Sequence, residues 1–216
     1  MVRRGEYLER AVVIPGEPPL EGLYHRGSKR LGAIILPAEP AAGGMEVPLV
    51  AELAWAVTRA GHPTLRFNYP GVGASPGDWT EAAAKQAVGR AVEHLRACLN
   101  EDHGDRAEVA HLGVGLGGVM AVEAAQTSGE HGPMVLVQPP SSLESLTPPL
   151  GEVIVVSAGD DPEELRSLRR RWASTAPQGR AIEVPGADSA WLRHLSIVGQ
   201  VAAELLTPPG LIDLEA

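Results

Sequence analysis

Short apolar runs alternate with longer stretches of helical periodicity along almost the whole chain. The runs Ala11–Pro15, Glu21–Tyr24, Gly32–Leu36, Pro63–Asn68, Glu108–Gly113, Met134–Gln138, Glu152–Ser157 and Arg180–Val184 each predict a strand. Helices are predicted over Pro48–Ala60, Glu81–Leu99, Leu116–Thr127, Pro162–Ala176 and Trp191–Leu206. In the second of these, Ala84, Val88, Val92, Leu95 and Leu99 recur at spacings of three and four, so one face goes to a core. The first two strands flank the turn Gly16-Glu17-Pro18-Pro19 and predict an antiparallel hairpin. Everything after it reads β-α-β-α, which implies a mostly parallel twisted sheet with helices on both faces.

The fourth helix illustrates the local signals. Asp161 suits its cap, Pro162 its first turn, and Glu163 and Glu164 the positive end of its dipole. On it lies Arg169-Arg170-Arg171, read as a solvated face in an acidic protein, with an anion patch as the rival reading. Pro208-Pro209-Gly210 stops the last helix, which divides the chain into one domain over 1–207 and a tail over 208–216. That apolar-acidic tail is either disordered or docks on a partner or on the protein itself.

Composition narrows the function classes. The 216 residues suit one generous domain, and 44% hydrophobic content provides for a sizeable core. With 18 Lys+Arg against 27 Asp+Glu, the net charge of −9 argues against nucleic acid or an anionic membrane as partner. A single cysteine, Cys98, leaves no internal disulfide and no thiolate metal cluster. No apolar run approaches a membrane span, and MVRRGEYLER meets Glu6 and Glu9 before any apolar stretch, unlike a signal peptide. The expectation is a cytoplasmic protein of undefined oligomeric state.

The most informative stretch is Ala107–Gly118, AEVAHLGVGLGG, where a short strand runs through glycines into an Ala-rich helix. This is the setting of a nucleophile elbow, in which small residues flank a side chain held on a strained turn. The helix start behind it offers backbone N–H groups to an oxyanion. Gly113 and Gly117 stand where Gly-x-Ser-x-Gly has its glycines, but the middle residue is Gly115. The same glycines match G-x-G-x-x-G as Gly113, Gly115 and Gly118, the dinucleotide fingerprint. That reading is disfavoured, because the turn follows half the chain and the next strand ends Val137-Gln138-Pro139 without an acid. Glycines that merely permit close strand–helix packing are compatible with a dead elbow.

Leu65–Gly77, LRFNYPGVGASPG, resembles the LRFN-(F/Y)-R-G-V-G-x-S-x-G signature of small bacterial α/β-hydrolases of the dienelactone-hydrolase-like type, with Pro70 at the usual Arg. LPAEPAAGGM resembles their His-Pro-x-Pro-x-x-Gly-Gly segment beside the oxyanion hole, with Leu36 for His and one extra residue before Gly43-Gly44. The resemblance covers nearly the whole chain and implies an α/β-hydrolase fold with a lid reduced or absent. It also implies a catalytic order Ser, Asp, His on three successive loops. The serine position maps onto Gly115. The acid maps onto Asp160 or Asp161, Asp161 being the better match, and the histidine onto Ser189 within Pro185-Gly186-Ala187-Asp188-Ser189-Ala190.

Glycine has nothing to attack with, and serine is no proton acceptor at neutral pH. The expectation is therefore a pseudo-hydrolase that binds a small molecule or a protein partner. Its pocket would be formed by Pro37, Ala38, Gly115, Leu116, Asp161 and Ser189, with N–H groups near Ala38 and Leu116 receiving a carboxylate or carbonyl oxygen. Two alternatives remain open. One is a hydrolase using Ser142 or Ser189 with His194, placed about one turn into the last helix; the other is a structural subunit of an assembly. Ser141 and Ser142 otherwise read as turn residues, and His111, beside Val109 and Leu112, as a structural histidine. His25, His62, His94, His103 and His131 fall in loop-like or exposed contexts without ligand spacing, so no metal or cofactor is expected.

Overall fold

The computed structural model describes residues 9–104, 107–129 and 132–207, so the tail over 208–216 and His131 lie outside the described residues. Eight strands form one sheet: β1 (Arg10–Ile14), β2 (Leu20–His25), β3 (Leu31–Leu36), β4 (Thr64–Phe67), β5 (Glu108–Val114), β6 (Met134–Val137), β7 (Glu152–Ala158) and β8 (Gln178–Val184). Their order is β1-β2-β4-β3-β5-β6-β7-β8. β2 runs antiparallel to both its neighbours and every other pair is parallel, so the predicted hairpin and parallel sheet are both present. The inner strands are buried on both faces, which is why they read as unbroken apolar runs, whereas β1 and β8 at the edges are largely exposed.

Five helices cover the sheet. α1 (Pro48–Arg59) and α5 (Leu195–Leu205) pack on one face over Ala33, Ile35, Ala110 and Leu112. The other face, carrying Ile34, Leu36 and Val109, is covered by α2 (Glu81–His103), α3 (Leu116–Ser128) and α4 (Glu163–Ser174). Among the described residues no helix is long and apolar enough to cross a membrane.

The LRFN segment works as a clamp between loops. Arg66 donates to the Met45 carbonyl and to Glu9, and Asn68 donates to Glu21 while accepting from the Met45 amide. Ser75 donates to the Asn68 carbonyl and accepts from the Glu21 amide. Gly44 and Gly73 are required there, since a Cβ on either would come within 2.4 Å of the Asn68 amide group. The loop after β3, which borders the candidate site, is thereby tied to β4.

Several local expectations are corrected. α2 continues to His103 because its last turn has partners: Asp102 accepts from Tyr24 and from Arg26. α4 begins at Glu163, with Pro162 extended before it, and Asp161 turns away to other partners. α5 begins at Leu195 rather than Trp191, so His194 precedes the helix instead of lying a turn inside it. The reason is Asp188, whose carboxylate accepts from the amides of Leu192 and Arg193 and holds that segment as a loop with Trp191 and His194 left-handed. Of the histidines expected in loop-like or exposed contexts, His62 lies in a loop but is buried, its Nδ1 donating to the Leu31 carbonyl; His25 is buried at the end of β2 against Thr58, and His94 and His103 are half-buried on α2.

Candidate functional site

β5 leads into the site through three glycines with different duties. A Cβ on Gly113 would lie 2.4 Å from the Gly117 carbonyl, and one on Gly117 2.3 Å from that of Leu36, so both allow α3 to start hard against the sheet. Gly115 between them has φ 54° and ψ −124°, a strained turn that an L residue enters only at a cost. Its amide donates to the Val137 carbonyl and its carbonyl accepts from Gly118, which fixes the turn at the carboxyl end of the sheet. The elbow backbone is intact and carries no side chain.

The space a side chain would enter is partly taken. A Cβ on Gly115 would stand 3.1 Å from the Ala38 Cβ and 3.5 Å from Glu39 Oε2. Among the described residues, the amides of Ala38 and Leu116 donate to no protein acceptor, leaving two donors beside the elbow. A cavity of about 400 Å3 opens there, with Val114 and Gly115 in its floor, Val47, Val50 and Trp191 among its apolar walls, and Glu39, Gln138 and Ser189 as its polar groups.

Of the residues expected at a pocket, Ala38, Gly115 and Ser189 line this cavity and Pro37, Leu116 and Asp161 do not. Pro37 is buried and its carbonyl accepts from Tyr69, while the Leu116 side chain packs toward the α2–α3 face. Asp161 sits behind Gln138 in a buried network. Its Oδ1 accepts from Gln138 Nε2 at 2.7 Å; its Oδ2 accepts from Arg169 at 2.6 Å and from the Ala158 amide at 3.1 Å. Arg169 also donates to the Pro139 carbonyl and to Ser157. On the cavity side, Trp191 Nε1 donates to Gln138 Oε1. The amide of Gln138, held by a left-handed backbone, thus stands between the acid and the cavity.

This corrects the reading of the arginine run at one position: Arg170 and Arg171 are exposed, beside Glu163 and Glu144, as a solvated face requires, whereas Arg169 is 3% exposed and paired with Asp161. The clue lay in spacing, because Arg169 falls between Leu165 and Trp172 on the apolar stripe of α4. Gln138, Glu39 and Trp191 were also missed as site residues; only the polar side chain ending an apolar strand marked Gln138.

The alternative nucleophile and base are not brought together. Ser142 is exposed in a 3-10 turn, Ser141–Ser145, and Ser189 is exposed on the cavity rim. His194 is exposed beside Gly186 and makes no side-chain hydrogen bond among the described residues. No described histidine lines the cavity.

Neither a family model nor a curated protein matches the chain. Solved structures do. A lidless α/β serine hydrolase from Xanthomonas campestris superposes with TM-score 0.72 at 18% identity, covering 91% of this chain and 92% of that one. A protein of unknown function from Agrobacterium tumefaciens, grouped with the α/β hydrolases, gives 0.78 at 19%, covering 91% and 94%. A dienelactone hydrolase from Anabaena variabilis gives 0.72 at 17%, covering 92% and 96%. At such identities the likeness speaks for architecture alone, and on that ground the chain has the α/β-hydrolase fold.

Proposed function

We propose that the protein is a non-hydrolytic binding protein that holds a small molecule in the cavity over Gly115. The ligand has a largely apolar body and an acceptor oxygen received by the amides of Ala38 and Leu116. The observation that carries this reading is Gly115 itself: elbow geometry at φ 54° and ψ −124° with no atom to attack a carbonyl. The buried Trp191–Gln138–Asp161–Arg169 network supports it, because both oxygens of the carboxylate are engaged and none orients an imidazole.

Purified protein is expected to give no burst and no saturable turnover with p-nitrophenyl acetate or butyrate, and no fluorophosphonate label. Turnover abolished by Ser142→Ala, Ser189→Ala or His194→Ala would overturn the reading and establish the hydrolase alternative. The double variant Gly115→Ser with Ser189→His is expected to gain at most weak esterase activity, because Asp161 stays bound to Arg169 and Gln138. Positive φ and the nearby Ala38 should also lower its stability by about 1–3 kcal/mol, measured by thermal melting. Native mass spectrometry of protein from its own host should show a retained small molecule that unfolding releases.

A further inference from the structure

A second cavity, of about 480 Å3, opens between α2 and α3, on the face of the sheet away from α1 and α5. His111 and Met120 line it from the interior, with Val88 and Val92 of α2 beside them. Its charged residues balance, Lys85 and Arg96 against Glu93 and Glu123, and burial keeps His111 uncharged by lowering its pKa to about 4. The cavity is therefore electrically neutral in sum, unlike the protein as a whole.

Two independent features make it more than a surface dent. Gly89 lies in the middle of α2, where glycine weakens a helix relative to alanine. Nothing lies within 4 Å of a Cβ built there, so neither a turn nor a close approach requires this glycine. Its effect is to leave the α2 wall of the cavity open. The second feature is Glu123: one carboxylate oxygen is 3.0 Å from Lys85 Nζ, while Oε2 is buried with no hydrogen-bond partner among the described residues. A buried acceptor left unpaired is unfavourable, and a donor from a bound molecule would relieve it.

We propose that this cavity is a binding site for a small, uncharged, mostly apolar molecule bearing one hydrogen-bond-donating hydroxyl or N–H group, which meets Glu123 Oε2. The neutral charge balance disfavours ions, and the apolar side chains of Val88, Val92 and Met120 receive the body of the ligand. The site is separate from the cavity over Gly115 and does not depend on what that cavity binds.

The test uses p-cresol as probe, with toluene lacking the donor and benzoate carrying a charge, followed by NMR of the Met120 methyl and the His111 ring in the full chain. Saturable shifts at both residues with p-cresol are expected, with toluene and benzoate at least tenfold weaker. Gly89→Leu should weaken p-cresol at least tenfold without lowering the melting temperature, and Gly89→Ala should raise that temperature. Glu123→Met, which leaves Lys85 its pair with Glu81, should bring p-cresol and toluene to equal affinity. Absence of saturable shifts, or equal binding by Gly89→Leu, would overturn the site. Toluene or benzoate matching p-cresol would overturn the assigned ligand chemistry.

Discussion

Arg169→Met is expected to destabilise the protein by about 3–5 kcal/mol, the usual consequence of stranding one partner of a buried ion pair. For a chain of this size that corresponds to a melting temperature lower by roughly 6–20 °C. Asp161 is as buried as its partner, so the orphaned carboxylate has no water to turn to. The double variant Asp161→Asn with Arg169→Met should recover about half of the loss or more. The introduced asparagine would keep an acceptor for the Ala158 amide and remove the charge; what stays lost is the pairing of the Pro139 carbonyl and of Ser157. Thermal or urea melts of the four species form the cycle. Additive losses would show that the ion pair is not what holds these two side chains in place.

Acid should unfold the protein through its buried histidines. Burial lowers His111 and His62 from 6.5 to about 4 each. Above pH 6.5 both rings are neutral in the folded and unfolded states, and they contribute no pH dependence. As pH falls from 6.5 towards 4, the unfolded chain takes up protons that the folded one refuses, so stability is lost. Below about 4 the folded rings protonate too and the loss levels off. For His111, almost wholly enclosed, the full effect is on the order of 3 kcal/mol. His62, His25 and His94 act in the same direction, and Glu52, raised by its own burial, acts against them. Melts between pH 7 and 4 should show this decline, and His111→Leu should flatten it; a stability independent of pH over that window would refute the assignment.

How much of this was legible beforehand differs between sheet and site. The inner strands could be read because a parallel sheet covered on both faces demands unbroken apolar runs, as in LGAIIL and MVLV. The elbow could be read because only glycine at 113 and 117 lets a helix start so close to a strand. The start of α5 was not legible: periodicity runs on through Trp191, and only the two amides held by Asp188 break it. The fate of Asp161 was hidden for a similar reason. A cap and a buried ion pair use the same residue type, and the choice is made by Arg169 eight positions away and by Gln138 at the end of another strand. Local signals specify elements, whereas long-range partners specify what a polar side chain does.

The indole of Trp191 lines the cavity over Gly115 with its N–H bound to Gln138, while Trp55 and Trp79 face solvent and Trp172 lies on the opposite face of the sheet. That arrangement equips the protein with its own optical gauge. A molecule settling over the elbow touches one fluorophore of the four, so emission compared between the parent chain and Trp191→Phe would register occupancy without any label.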